Sequence, residues 1–283
     1  MFDCVAAETL KMPELPEVEV TRRGIEPVLK NRVISGIYTS GLKLREPYSP
    51  TLPQFEGARI SEVSRRAKYI LLYSDKGTLL MHLGMTGHLQ ILKTGTERGK
   101  HDHFELQTPE GVCVRLNDIR RFGLVLHYPP CVDVLSCEPL RDLGPEPLSD
   151  SFSPETLQLS LQGRKVAIKQ ALMDAKVVVG VGNIYASESL FAAAVSPLRP
   201  ACSLSLEECR ALCRAIKEIL SLSIERGGTT IRDFSGADGH LGYFVNELKV
   251  YGHEGEECPR CHSHLRKIVQ GQRSTYYCEH CQH

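Results

Sequence analysis

The chain has 283 residues, 42% of them hydrophobic and 24% charged, a composition that fits a globular protein of about two domains. Lys+Arg and Asp+Glu balance at 34 each, so net charge excludes the strongly basic and strongly acidic classes and singles out no partner. No apolar run approaches the ~18 residues that span a bilayer, and the opening segment MFDCVAAETLK is too short and too acidic for a signal peptide; 11 cysteines without a disulfide-framework pattern fit a reducing cytoplasm.

Residues 13–30, PELPEVEVTRRGIEPVLK, read as a helix after two prolines. Val18, Val20, Ile25 and Val28 give it a partial apolar stripe, and Glu17 and Glu19 sit in the first turn, where the helix dipole favours them. From Val33 to about Tyr128 the texture changes to short β-rich runs (VISGIY, ARISEVS, YILLYS, TLLMHLGM, HLQIL, HFELQT, VCVRL, LVLHY) separated by Gly, Pro and Asp-Lys-Gly turns. That spacing predicts an antiparallel sandwich or barrel. Residues 129–150 hold five prolines and read as a linker. Beyond them the pattern turns helical: SPETLQLSL with Ser153 as N-cap and Pro154 at the first helical position, then KVAIKQALMD, NIYASESLFAAA and SLEECRALCRAIKEILSLSIE. A long Gly-rich polar loop, GGTTIRDFSGADGHLGYF, follows, and a loop of that length is usually functional.

The chain closes on CPRCHSHLRKIVQGQRSTYYCEHCQH. One Cys-x-x-Cys pair alone could be a redox dithiol or a disulfide. Two pairs, Cys258/Cys261 and Cys278/Cys281, at ribbon spacing favour one Zn2+. Four thiolates leave no position for a substrate water, so the metal is a structural staple and not a catalyst. Arg260, Arg266, Lys267 and Arg273 on the spacer, with Tyr276 and Tyr277, suit a phosphate-gripping hairpin. Basic residues also gather at 59–68, 115–121 and 164–169, and acidic ones at 138–150. These clusters fit either one basic face or ordinary solvated charges.

Taken together, MPELPEVE, RRAKY, HLGM-G, KHDH, RRFG, LGPEPL, VVVGVGNIYASE, GGTT-RDF and the cysteine hairpin, in that order from Met12 to the C-terminus, resemble the formamidopyrimidine-DNA glycosylase family. The PELPEVE form is closer to this branch than to its sister endonuclease VIII, which acts mainly on oxidised pyrimidines. The resemblance implies an α+β protein: an N-terminal antiparallel β-sandwich with a leading helix (12–128), the linker (129–150), a helical helix-two-turn-helix domain (151–245) and a zinc hairpin (246–283). It implies a monomer that binds double-stranded DNA containing oxidised purines or abasic sites, and no membrane. It implies a bifunctional glycosylase and lyase of base excision repair.

Such chemistry needs an amine that attacks the sugar C1′ and forms a Schiff base. An N-terminal amine, with pKa about 7.7–8.0 against ~10.4 for lysine, supplies more free base at neutral pH. A secondary amine yields an iminium that acts as an electron sink. By resemblance Pro13 is this nucleophile, Glu14 the acid/base group, Lys68 the residue acting in β-elimination and Arg273 the one engaging the phosphate for the second elimination. Met85, Arg120 and Phe122 resemble the side chains that fill the gap left by the extruded base. His101, Lys169 and Asn183, with Arg164 near, resemble phosphate contacts. Asn183 follows Gly180 and Gly182 at an expected helix start, where outward-pointing backbone N–H groups suit an anion. The 229–243 loop resembles the segment that caps the extruded purine. Where the family usually has proline before the two arginines this chain has Ile119, which predicts a less rigid loop; Gln170 replaces another frequent proline. One conflict stands: a proline inside a chain has an amide nitrogen, yet twelve residues precede Pro13. The expectation is that Met12 is the start, is removed, and that 1–11 is a non-native extension. If the extension is retained, the reading changes to a non-catalytic damaged-DNA-binding protein.

Overall fold

Glu14 sets the start of α1 (Leu15–Leu29): its N–H donates to Glu17 Oε2 at 3.0 Å, and Pro16 in the first turn needs no N–H partner. The computed structural model describes residues 12–229 and 244–283. Leu15, Val18, Thr21, Ile25 and Leu29 form the buried stripe of α1, at three- and four-residue spacing. Val20 and Val28 only flank it. The stripe is buried on two sides, because α1 packs both on β2 (Ile60–Arg66) and on α5 (Leu206–Glu225). It is packed between the two halves of the molecule.

The first half is an antiparallel sandwich. One described sheet runs β1 (Gly36–Thr39), β6 (Asp102–Gln107), β7 (Val112–Asn117), β5 (His88–Lys93). The other runs β2, β3 (Tyr69–Ser74), β4 (Gly77–His82), β8 (Leu124–Tyr128). Each β-rich run of the sequence supplies one of these strands. Phe55, Ile70, Leu72, Leu79, Met81, Phe104, Leu106 and Leu116 fill the space between the sheets, all at most 1% exposed. Each such side chain contributes about 1.5–3 kcal/mol by leaving water.

In the second half, Ser153 Oγ accepts from Thr156 N at 3.2 Å and starts α2 (Pro154–Leu161). The expected helix KVAIKQALMD shrinks to α3 (Ile168–Leu172). Its first residues are taken by the segment after α4 (Asn183–Ala192): Ala201 N donates to Val166 O, and Ile168 N to Arg199 O. α4 is buried almost all round, from Ile184 to Phe191, and is the central rod of this half. α5 starts on the Ser205 cap. A hairpin, β9 (Arg266–Gln270) and β10 (Arg273–Tyr277), lies against α4. Among the described residues no helix is long and apolar enough to cross a membrane. The 229–243 loop, beyond Thr229, lies outside the described residues.

Candidate active site

Pro13 and Glu14 are both buried at the junction of the two halves. Glu14 Oε2 accepts from Gly182 N at 2.6 Å and Tyr185 N at 3.4 Å, and Oε1 accepts from Ile184 N at 2.9 Å. These are the opening N–H groups of α4. A carboxylate there gains from both the open donors and the helix dipole. The anion that these N–H groups receive is the chain's own Glu14 carboxylate, held on both sides of Asn183. The two glycines of GVG are explained by the same contact. A Cβ on Gly182 would fall 2.3 Å from Glu14 Cδ, and one on Gly180 (φ +80°) 2.5 Å from Leu15 Cδ1. Leu15 N donates to Gly180 O at 3.0 Å. The motif is the seat of the Pro13–Leu15 segment.

Burial raises the Glu14 pKa, nearby Glu17 adds to the rise, and Lys68 and the α4 N–H groups oppose it. Lys68 stands in the two-residue loop between β2 and β3, after Ala67 at φ +54°. Part of its side chain is open, yet protein packs closely around the ammonium. That desolvation lowers its pKa, against the pull of Glu14 and Glu17 and reinforced by Arg273. Glu14, Lys68 and Arg273 therefore form one electrostatic neighbourhood.

Sequence reasoning missed the support beneath them. Glu17 accepts from Glu14 N, from Tyr185 Oη at 2.7 Å, and from Thr229 N and Oγ1 at 2.9 and 2.7 Å. Tyr185 Oη also meets Ser223 Oγ at 2.6 Å. One buried carboxylate thus joins α1, α4, α5 and the entrance of the 229–243 loop.

Lys169 is 1% exposed and donates to Asn183 Oδ1 at 2.6 Å, Ser274 O at 2.8 Å and Thr275 Oγ1 at 2.8 Å. Burial, opposed by Glu14 and helped by Arg273, brings its pKa down to about 7. Asn183 Nδ2 donates to Tyr251 Oη at 3.2 Å. Arg273 is exposed at the hairpin tip. The other hairpin cations are engaged: Arg260 donates to Phe191 O and Ala192 O at the end of α4, Arg266 pairs with Glu279, and Lys267 pairs with Glu254. Arg164 pairs with Asp174 at 2.8 Å on the face of the helical half.

The remaining expected residues lie on two loops at one end of the sandwich. Arg120 and Phe122 are exposed, with the guanidinium carbon 4.7 Å from the Phe122 ring centre. Met85 is half-buried on the neighbouring turn. Gly84 (φ +70°) lets the turns touch, since its Cβ would meet Phe122 C at 2.4 Å. Burial pushes the His82 pKa down to about 3, so its ring stays neutral and Nδ1 accepts from Gly84 N at 2.9 Å. Ile119 is 57% exposed. The buried Asp118 carboxylate accepts from Thr86 Oγ1 at 2.6 Å, Arg120 N at 3.3 Å and Gly123 N at 2.7 Å. Asp118 thus ties the turn that carries Arg120 to the neighbouring turn through Thr86. His101 is tied to the same loop, its carbonyl accepting from Asp118 N at 2.9 Å. Arg115, counted in a basic cluster by sequence, is buried on Glu105 (2.7 Å) and Asp102 (3.2 Å) and donates to Thr96 O and Glu97 O, shaping the stretch before His101.

The four cysteine Sγ atoms lie within 4.8 Å of one another, with Cys258–Cys281 at 3.9 Å and Cys261–Cys278 at 3.5 Å. A zinc ion with Zn–S near ~2.3 Å separates tetrahedral sulfurs by about 3.8 Å, so the cluster fits the metal. Cys258, Cys261, Cys278 and Cys281 hold a structural zinc. It supplies a closed cross-link and no reactive position.

A sandwich carrying the chain's Pro-Glu segment, a helical half that seats it and a zinc-pinned hairpin define a class of DNA-binding repair glycosylases. Family models match in three consecutive parts: the formamidopyrimidine-DNA glycosylase N-terminal domain over residues 12–125, the H2TH domain of that enzyme over 143–235, and a zinc finger found in FPG and IleRS over 255–283. A formamidopyrimidine-DNA glycosylase of Vibrio vulnificus (strain YJ016) is 47% identical over 271 residues, covering 96% of this chain and 100% of the relative. The crystal structure of the MutM (Fpg) protein from Thermus thermophilus is similar with a TM-score of 0.86 at 37% identity, covering 95% of this chain and 98% of that one. The Lactococcus lactis Fpg in complex with abasic-site DNA is similar with a TM-score of 0.85 at 31% identity, covering 95% and 99%. The chain belongs to the formamidopyrimidine-DNA glycosylase family.

Proposed function

We propose that this glycosylase removes oxidised purines, 8-oxoguanine and formamidopyrimidines, and then nicks the strand by β,δ-elimination. The observation that carries the reading is the Glu14 carboxylate, buried beside Pro13 on the N–H groups of α4, with a pKa raised by burial and opposed by the charge of Lys68. In the reading, the Pro13 amine attacks C1′ while the C1′–N bond to the base breaks and the base leaves with a proton. Glu14 serves this proton traffic and the opening of the sugar ring. The resulting iminium makes the C2′ proton acidic. Lys68, held neutral more readily by its burial, takes part in that proton's removal as the 3′ phosphate departs. Arg273 faces the phosphate that leaves in the second elimination, and Lys169, Asn183, His101 and Arg164 serve the DNA backbone. Met85, Arg120 and Phe122 fill the stack. Residues 1–11 lie outside the described residues; the reading requires Pro13 to become the first residue of the mature protein.

Borohydride trapping tests this directly. Protein beginning at Pro13 is expected to nick 8-oxoguanine duplexes and to become covalently linked to them on reduction. Protein retaining residues 1–12 is expected to bind DNA without trapping. Robust trapping by the long form would place the nucleophile on a lysine and overturn the assignment of Pro13.

A further inference from the structure

The LGPEPL motif lies between the two halves, and nothing in the proposed chemistry uses it. Its Glu146 reaches back about eighty residues in sequence to the β2–β3 loop. Glu146 Oε1 accepts from Ala67 N at 2.6 Å and from Arg66 Nη1 at 2.9 Å, and Oε2 accepts from Arg65 Nη1 at 2.9 Å. That same Arg65 nitrogen donates to Ala67 O at 2.8 Å. Both polar groups of the Ala67 residue are therefore held by one carboxylate, the carbonyl through Arg65.

Ala67 needs holding. It occupies the first position of a two-residue hairpin loop with φ +54°, a position that favours glycine. For a residue with a Cβ this conformation costs about 1–2 kcal/mol. Such strain persists where surrounding contacts over-determine it. The next residue is Lys68.

The other side of the motif is anchored equally well. Arg66 Nη2 donates to Leu143 O at 3.0 Å and Gly144 O at 2.6 Å. Gly144 N donates to Ala175 O at 2.8 Å, and Val179 N to Pro145 O at 3.2 Å. A Cβ on Gly144 would fall 2.6 Å from Lys176 O, so the segments touch backbone to backbone. One residue beyond Val179, Gly180 O receives Leu15 N. A continuous chain of bonds runs from the Lys68 loop, through Glu146 and residues 143–145, to the seat of Pro13 and Glu14.

We propose that Glu146 is a positioning residue for Lys68: its carboxylate clamps the strained Ala67 turn from the second half of the molecule and sets where the Lys68 ammonium stands relative to Pro13. The inference rests on the reading that Lys68 acts in elimination. The basic cluster at 65–66 is thus engaged with an acidic partner from 138–150 and is not an open DNA-binding face.

The test uses Glu146→Gln in the form that begins at Pro13. The amide keeps one acceptor for Ala67 N–H but turns donors toward an arginine. Two readouts are combined. With [6-13C]lysine labelling, and Lys68→Arg to assign the signal, the Lys68 titration midpoint is expected to rise toward that of a free lysine. On a pre-formed abasic duplex, nicking is expected to fall about 10²-fold, the scale of a misplaced group, with borohydride trapping reduced less than about twofold. An unchanged midpoint and an unchanged ratio of nicking to trapping would overturn the inference, as would parallel loss of both activities with the Lys68 signal unmoved. If Glu146→Gln does not fold, Arg65→Gln removes the clamp on Ala67 O alone and carries the same two expectations at smaller amplitude. Lys68→Ala separates the inference from the reading beneath it. If that variant nicks abasic sites at the full rate, Lys68 has no part in elimination, while the midpoint still reports whether Glu146 positions it.

Discussion

Glu14 has three N–H donors on two oxygens, so replacing it changes more than charge. Glu14→Gln turns an NH2 group against at least one of those donors, and an unsatisfied buried donor costs about 1–3 kcal/mol. A measurable fall in melting temperature is expected with it. Base excision from 8-oxoguanine duplexes should drop by ~10²–10⁴-fold, and cleavage of a pre-formed abasic site, which needs no base departure, should survive better. Equal losses on the two substrates would show that Glu14 acts only in the ring opening common to both, and would remove its role in base departure. Lys169 supplies a second residue-level expectation. Its pKa is lowered from 10.5 to about 7 in the free protein, and a DNA phosphate would restore the charge. Below pH 7 the ammonium is charged both free and bound. Above it, binding must take up one proton, so affinity for an abasic-analogue duplex is expected to fall with rising pH by up to about tenfold per unit. Lys169→Met should flatten that slope, measured by titrations between pH 6.5 and 9; a slope that persists would place the proton elsewhere. Glu14 could be singled out in the sequence because it sits in the short contiguous MPELPEVE motif, and Lys169 only through the family resemblance. The part played by Glu17 was not legible, because its acceptor role becomes visible only when Tyr185 and Thr229, 168 and 212 residues away, are brought to it.

Strands were the easiest elements to read from sequence, because the β-rich runs between Val33 and Tyr128 are short and bounded by Gly, Pro and Asp-Lys-Gly turns; period-two alternation was no guide, since β4 and β6 are buried along nearly their whole length. Helices were harder. α4 is buried on nearly every side, so it has no amphipathic phase to betray what its ends contact. The glycines before it were readable as a helix start, but not as the receptor for Glu14. That receptor role makes Gly182 a sharp test at the element scale. Gly182→Ala would place a methyl 2.3 Å from the Glu14 carboxyl carbon. Either the carboxylate leaves the α4 N-terminus or the helix shifts. Overpacking of this kind costs typically about 1–3 kcal/mol. Loss of 8-oxoguanine excision comparable with that of Glu14→Gln is expected, together with weaker loss on abasic DNA. A Gly182→Ala protein with normal excision would show that the cradle is dispensable.

At the scale of the whole molecule the zinc hairpin is stitched to the helical half at both ends of α4. Arg260 covers carbonyls at its C-terminal end, while Ser274 and Thr275 hold Lys169 beside Asn183 at its N-terminal end. Gln282 adds a side-chain bond to Val195 O at 2.9 Å. The sandwich core is a separate cluster, centred on residues such as Phe104 and Ile70. Structural zinc in small modules contributes on the order of 10 kcal/mol to local folding, far more than those few side-chain bonds, each worth about 1 kcal/mol. Cys258→Ser removes one of four thiolates, and the hairpin is expected to disorder while the sandwich keeps its cooperative unfolding. Arg273 leaves with the hairpin, and Lys169 loses two of its three acceptors. DNA affinity should therefore fall, and the pH dependence assigned to Lys169 should weaken in the same protein, because the ammonium becomes hydrated and its pKa returns toward 10.5. Measuring zinc content, thermal unfolding and affinity at pH 7 and 8.5 on one preparation decides the matter. Near-normal affinity with an intact pH slope in a zinc-free Cys258→Ser protein would mean that the hairpin neither grips DNA nor shapes the lysine behind it.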